Sequence, residues 1–272
     1  MTTDSNDTAV PASIGIEDVS GCAARADAQV RALLGRVMAQ RRSAGTALDY
    51  VRGLAPGVTA NCWWLAEAAG HERPYRMQAL LRCYRWDWKD LRAELPALAR
   101  AWLPCDPGDL TGPGLAVDET AQLKDGDGTA CVAPQHAGCT GHVENCVTTV
   151  FAAWVSTSGQ ARADFDVFMP GRWEKDGRRR RAAGIPGKLE RKTKPQLAIA
   201  QLGRLLDAGL PARWAAYDEV YGRSGELRRF CESLSSFLCV MVLLIDVAVL
   251  IAGCLWFAAV AVLRGRRPRR RC

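Results

Sequence analysis

No CxxC pair occurs among the eleven cysteines, so the chain lacks the thiol spacing on which common zinc modules are built. Cys131, Cys139 and Cys146 lie near one another with His136 and His142 between them, but this spacing fits no common metal site. Ordinary reduced core cysteines are the expectation. The first twenty residues are polar and acidic with no apolar h-region, so no secretory signal is expected and the body should fold in a reducing cytosol. Nor is the chain uniformly basic. Its net charge is +7, yet residues 172–194 alone carry +7 and 264–272 carry +6, which leaves −6 on everything else. Two basic concentrations therefore sit on an otherwise acidic chain. Hydrophobic residues make up 49% of the 272, enough for a proper core and too many for wholesale disorder.

What is present falls into blocks. Residues 1–22 are rich in Thr, Ser, Asp and Ala without periodicity and read as a flexible leader. A helical pattern covers 23–54, where Leu33, Leu34, Val37 and Met38 form one apolar stripe, and Pro56-Gly57 stops it. Asn61 can cap a helix carrying Trp63, Trp64, Leu65 and Ala68 that ends at Gly70, and Pro74 opens another through Met77, Leu80 and Leu81. Helix, short turn, helix is the shape of a DNA-reading module and also of any helical hairpin. The pattern alone favours the plain hairpin. A further helix over 87–103 ends at Pro104 and a Gly/Pro-rich linker. The segment 23–104 thus reads as an all-α N-terminal domain, a candidate for DNA binding. Trp63, Trp64, Trp86, Trp88 and Trp102 fall in it and are expected to pack into a core.

After the linker the period changes. Leu115-Ala116-Val117 is a short apolar strand that ends in Asp118. Residues 143–156 read as a long buried strand, 163–169 as another, and 195–206 as a helix stopped by Gly209 and Pro211. Trp214-Ala215-Ala216-Tyr217 is a strand that ends in Asp218, and a helix follows from Gly225 towards Leu234. Helices first and then strands mixed with helices predict an α domain followed by an α/β domain over 115–234. Residues 237–263 hold one charge, Asp246, and predict a hydrophobic, transmembrane-like helix followed by the basic tail 264–272. That would place the body in the cytoplasm, near the nucleoid, with membrane association through 237–263.

The paired strand-end aspartates carry the chemistry. Carboxylates brought together suit hard cations such as Mg²⁺ or Mn²⁺, which activate a water or 3′-hydroxyl against a phosphodiester. Two such aspartates are also what helix caps and turns use, so spacing alone leaves both readings open.

The motifs narrow the choice. Asp118-Glu119-Thr120, Lys124-Asp125-Gly126, Pro134-Gln135-His136-Ala137-Gly138 and Gly141-His142-Val143-Glu144-Asn145-Cys146 resemble the DDE superfamily endonuclease domain of bacterial insertion-sequence transposases. So do Phe168-Met169-Pro170, Ala183-Gly184-Ile185-Pro186, Thr193-Lys194-Pro195-Gln196 and Asp218-Glu219-Val220-Tyr221-Gly222, with Asn61, Trp63, Gly70, Pro74 and Trp86-Asp87 in the helical half. The resemblance spans roughly 37–234. It implies an RNase H-like core in which Asp118 and Asp218 are the first two acids of a catalytic triad and hold Mg²⁺ or Mn²⁺. It implies DNA, at insertion-sequence ends, as the substrate, with a homodimer as a further expectation. Between those acids, Arg172, Lys175, Arg178, Arg179, Arg180, Arg181, Lys188, Arg191, Lys192 and Lys194 are the expected phosphate contacts, since like charges this dense repel unless an anion neutralises them.

The chain departs from the family's pattern in three places. Ala121-Gln122 and Lys124-Asp125 stand where Gly-Phe and paired Lys are usual, and Pro134-Gln135-His136 stands where Arg-Gln-Tyr is usual. The resemblance ends near Leu234, before the third acid. A reading-frame shift or deletion is therefore expected there, giving a degenerate copy with little strand transfer. A catalytically inactive DNA-binding or regulatory fragment and a membrane-anchored protein are the alternatives.

Overall fold

The apolar stripe and the caps decide the first part of the computed structural model, which describes residues 16–54, 61–84, 86–106, 108, 112–234 and 238–241. Two helices, α1 (Ile16–Val37) and α2 (Arg41–Leu54), replace the single one expected. Leu33, Leu34, Val37 and Met38 are buried as the stripe requires. α1 ends after Val37: the Met38 N–H still donates to Leu34 O at 2.9 Å, and Met38 forms a β-bridge with Trp86. α1 also begins at Ile16, inside the expected leader of 1–22. That stretch lacks apolar periodicity, but no proline interrupts the chain between Pro11 and Pro56.

The hairpin α3 (Cys62–Ala68) and α4 (Tyr75–Arg82) forms where its caps predict. The Asn61 side chain accepts from the Trp63 N–H at 2.8 Å, and Pro74 stands at the N-cap of α4. Leu65, Ala66 and Met77 share a small core with Tyr50, and His71 joins the turn to Asp49 of α2 at 3.0 Å.

The tryptophans expected inside are outside. Trp63 and Trp64 are 62% and 55% exposed, and Trp86, Trp88 and Trp102 are exposed as well. In α3 the buried face belongs to Leu65 and Ala66, and residues one and two positions earlier point to other sides of so short a helix. The tryptophans that do fill a core are Trp154 and Trp173.

Two compact units divide between Asp87 and Trp88. The second begins with α5 (Trp88–Trp102) and continues through β1 (Gly114–Leu123), β2 (Ala133–Ala137), β3 (His142–Ser156) and β4 (Gly159–Val167). After these come α6 (Gly171–Glu174), α7 (Gly177–Ala182), α8 (Lys194–Asp207), β5 (Trp214–Tyr217), α9 (Glu219–Gly222), α10 (Gly225–Glu232) and β6 (Leu238–Met241). The last helix of the 23–104 segment thus joins the α/β unit. Arg92 bonds Asp166 of β4 at 2.8 Å, and the Trp154 indole N–H of β3 donates to Leu103 O at 3.1 Å.

The sheet runs β2-β3-β1-β5-β6, with β4 also on β3. β1 is antiparallel to β3 and parallel to β5. Leu115 and Val117 of β1 join Ala215 and Tyr217 of β5, Leu202 and Leu205 of α8 and Leu227 of α10 in the main core. Thr193 and Gln196 close a capping box at the start of α8, with Pro195 in its first turn. Arg204 of α8 bonds the buried Asp164 of β4 at 2.7 Å, fixing helix to sheet.

Two strand expectations change. β1 does not end at Asp118 but runs on to Leu123, because β3 is long enough to pair with it throughout. Residues 238–241, expected inside a transmembrane-like helix, are a strand parallel to β5. A continuous apolar run suits a parallel strand as well as a helix, and periodicity does not separate the two. Residues 242–263, with Asp246, and the tail 264–272 lie outside the described residues. Among the described residues no helix is long and apolar enough to cross a membrane.

The β1–β5 junction tolerates no added side chain. A Cβ on Gly114 would lie 2.1 Å from the Trp214 indole, whose N–H donates to Gly112 O at 3.0 Å. Gly114→Ala is expected to lower the unfolding free energy by about 1–3 kcal/mol. Gly187→Ala, in open space, should change it by less than about 0.5 kcal/mol. Urea denaturation of the two variants beside the parent chain checks both.

Candidate active site

Register places the two aspartates. Val117 and Tyr217 are the last paired residues of β1 and β5, so Asp118 and Asp218 are the next on neighbouring parallel strands. Side chains alternate along a strand. Leu115 and Val117 point into the helix-covered core, while Ala116 packs with Ala153, Val155 and Trp214 on the other face. Asp118 follows Ala116. Asp218 retains extended backbone, with φ −74° and ψ 177°, and follows Ala216 onto that same face.

Each carboxylate is half engaged. Asp118 Oδ1 accepts from the Glu119 N–H at 2.7 Å, and Asp218 Oδ1 accepts from the Tyr221 N–H at 3.0 Å, capping α9. Their second oxygens have no hydrogen-bond partner among the described residues. Burial pushes the Asp118 carboxyl up to about 6; the Glu119 N–H opposes this, the charges of Asp218 and Glu119 add to it, and Lys194 lowers it.

Glu119 faces the opposite way from Asp118 and joins three elements. It pairs with Lys194 at the start of α8 and accepts from the Tyr221 hydroxyl at 2.9 Å. Burial, and then the negative charge of Glu119, hold the Tyr221 phenol protonated far above its ordinary range. Tyr221 therefore holds Asp218 through its backbone and Glu119 through its ring.

The ten basic residues divide into two groups. Arg172 donates to Val132 O at 3.0 Å, Arg179 to Asp127 O at 2.6 Å, and Arg180 to the carbonyls of Pro186 and Leu189. With Lys194 on Glu119, these four hold the segment in shape. The Arg179 guanidinium also lies 4.1 Å from the centroid of the buried Trp173 ring. Lys175, Arg178, Arg181, Lys188, Arg191 and Lys192 are exposed and make no hydrogen bond or ion pair among the described residues. Of the cysteines once set beside His136 and His142, Cys131 and Cys146 are buried and Cys139 is exposed.

A sheet whose central parallel strands bring two acids to one face, flanked by helices, fits a nuclease-like fold. The chain matches the DDE superfamily endonuclease family over residues 31–254. It belongs to that family. No curated protein and no solved structure matches it. The match continues twenty residues beyond Leu234, where a foreign tail was expected to begin, and takes in β6.

Glu119 and Tyr221 stood inside the quoted motifs without a role. The signal for Tyr221 was its place three residues after Asp218, where an N-cap side chain finds its N–H partner. Nothing local announced the Glu119–Lys194 pair, which joins residues far apart in sequence.

Asp118 sets a pH dependence with a definite sign. The folded chain holds the Asp118 proton up to about pH 6, against an ordinary value of 3.8. Metal-free stability should therefore fall as pH rises through that window and stay low above it. Asp118→Asn is expected to abolish the fall and to exceed the parent chain at neutral pH by on the order of 1–2 kcal/mol. Urea midpoints in EDTA across that pH range check it.

Proposed function

We propose that the protein is a DDE-type transposase that cuts and joins DNA at insertion-sequence ends, with Asp118 and Asp218 as its first two catalytic acids on an RNase H-like core. The observation that carries this reading is the parallel register of β1 and β5, which sets the two carboxylates side by side on one face. Family membership supports DNA as the substrate.

The donor set fits Mg²⁺ or Mn²⁺. Two carboxylates, each with an oxygen free, make the usual protein share of a Mg²⁺ site, where waters and substrate phosphate complete the sphere. A cation there would supply charge stabilisation at the phosphate and a more acidic water or 3′-hydroxyl. The chain's own residues do the rest. The N–H groups of Glu119 and Tyr221 hold one oxygen of each aspartate and leave the other uncommitted among the described residues. Lys194 and Tyr221 fix Glu119 behind the site. The six unpaired cations of 172–194 bind phosphates and set the duplex in register without reading its sequence.

A second reading is a DNA-binding regulatory form that does not cut.

The test uses the purified full chain and a supercoiled plasmid carrying the DNA that flanks its own gene. Mg²⁺- or Mn²⁺-dependent nicking at the element's ends is the expected result. Asp118→Asn and Asp218→Asn should each reduce it by well over about 100-fold, since losing even an outer partner of a metal site costs 10–100-fold. Tight binding with no nicking in either metal establishes the regulatory form. Nicking unaffected by both substitutions contradicts the catalytic assignment. Replacing Arg178 and Arg181 together by Ala should flatten the salt dependence of DNA binding by about 1–2 in log–log slope. Fluorescence anisotropy at several salt concentrations measures that change.

A further inference from the structure

β4 carries an irregularity that turns one arginine onto the face of the two aspartates. Asp164 pairs with Ala152 of β3 and Arg162 with the next residue, Ala153, so Ala163 is an extra residue in β4. In a regular strand Arg162 and Asp164, two apart, would share a face. The bulge separates them. Asp164 stays on the helix side, where Arg204 bonds it at 2.7 Å, and Ala161 and Ala163 pack into the main core. Arg162 goes to the other side with Ala153 and lays its guanidinium over the Phe151 ring, 4.2 Å from the centroid. Phe151 stands opposite Asp118 in the β1–β3 ladder. Side chains of such a pair share a face, with Cβ atoms about 4.5–5.5 Å apart. Phe165, across from Phe151 on β4, backs the same ring with centroids 6.3 Å apart.

Arg162 has no counter-ion. It is half-buried and makes no hydrogen bond or ion pair among the described residues. Its Nε is buried without a partner, whereas its terminal nitrogens are not buried. The other two arginines beside β4 differ, since Asp164 and Asp166 neutralise both Arg92 and Arg204. A guanidinium withdrawn from water without an acid costs stability unless an anion completes it. Laid flat on a ring, it is held by its face and keeps its N–H edge for a ligand. That planar fork matches two oxygens of one phosphate.

We propose that Arg162 is a phosphate ligand on the face of Asp118 and Asp218, where it holds a backbone phosphate of the DNA strand beside the one at those acids. The inference rests on the reading that the two aspartates act on DNA, and it adds a contact outside the basic segment 172–194. The phosphate neutralises the orphaned cation, and the Phe151 ring fixes where along the strand this happens. The bulge at Ala163 is then the device that aims the side chain, a use to which bulges beside active sites are put.

The experiment is a scan of neutralised phosphates. Duplexes of the DNA that flanks the protein's own gene carry a single methylphosphonate at successive positions. Fluorescence anisotropy measures their binding to the purified full chain in Ca²⁺. Arg162→Gln keeps a stem over Phe151 and removes the charge. It should weaken binding of the unmodified duplex by about 10-fold and flatten the log–log salt slope by about 1. It should also become indifferent to the methylphosphonate at one position where the parent chain is sensitive, and keep every other sensitivity. Arg162→Lys should retain the salt slope and the sensitivity at that position. Removing an unneutralised charge predicts that the melting temperature of Arg162→Gln is unchanged or raised. A scan of Arg162→Gln identical to the parent's overturns the proposal, as does a lost sensitivity that Arg162→Lys fails to restore. Absence of DNA binding by the parent chain overturns both this proposal and the reading beneath it. Binding by the parent with an identical scan in Arg162→Gln overturns this proposal alone. The scan reads binding, so a protein that never nicks DNA can still pass it.

Discussion

Four rungs of parallel pairing between β1 and β5, from Gly114–Trp214 to Val117–Tyr217, hold the two halves of the site together. Asp118 and Asp218 lie far apart in sequence, and nothing local brings them near each other. The pairing does so, and it depends in turn on the close approach of the Gly114 backbone to the Trp214 ring. The core beneath the strands, built from Leu115, Val117, Ala215 and Tyr217 against α8 and α10, makes that register the one that buries the apolar face. A slip by one residue would send one aspartate into the core.

The same pairing carries an electrostatic cost. Two neighbouring carboxylates in a partly buried site repel, and the raised Asp118 proton affinity expresses burial first and that repulsion with it. A fold selected only for stability would place an amide or an apolar residue there. Two acids, each held by a single backbone N–H with one oxygen uncommitted, suit the cation-dependent chemistry proposed for them. The Tyr221–Glu119–Lys194 contacts on the other face stiffen the strand and helix ends that carry the acids. The basic segment divides as well: four of its cations bond nearby carbonyls or Glu119, and six are exposed with no hydrogen bond or ion pair among the described residues.

Much of this architecture was legible in the sequence, and the exceptions have physical causes. Asn61, Pro74, Thr193 and Pro195 announced helix starts because capping is local. The β3 strand and the two aspartates were legible from β-branched runs and from family motifs. The division into α1 and α2 was hidden, as was the bridge at Met38, whose partner Trp86 lies far along the chain. The exposed Trp63 and Trp64 were misjudged because burial depends on which face a short helix turns inward, and hydrophobicity does not reveal that. Residues 238–241 read as a membrane helix because an apolar run is equally suited to a parallel strand, and only the open edge of β5 decides between them. The division of the basic segment into structural and free cations rests on carbonyls at Val132, Asp127, Pro186 and Leu189, which no charge count locates.

The central claim is that residues 118 and 218 share a divalent cation on one face of the sheet. Anomalous diffraction from crystals grown with Mn²⁺ addresses it most directly. The account predicts a manganese peak bridged by the free oxygens of Asp118 and Asp218, absent in an Asp218→Asn crystal. Manganese bound elsewhere, or an electron-density map in which the two carboxylates point to opposite faces, would contradict it.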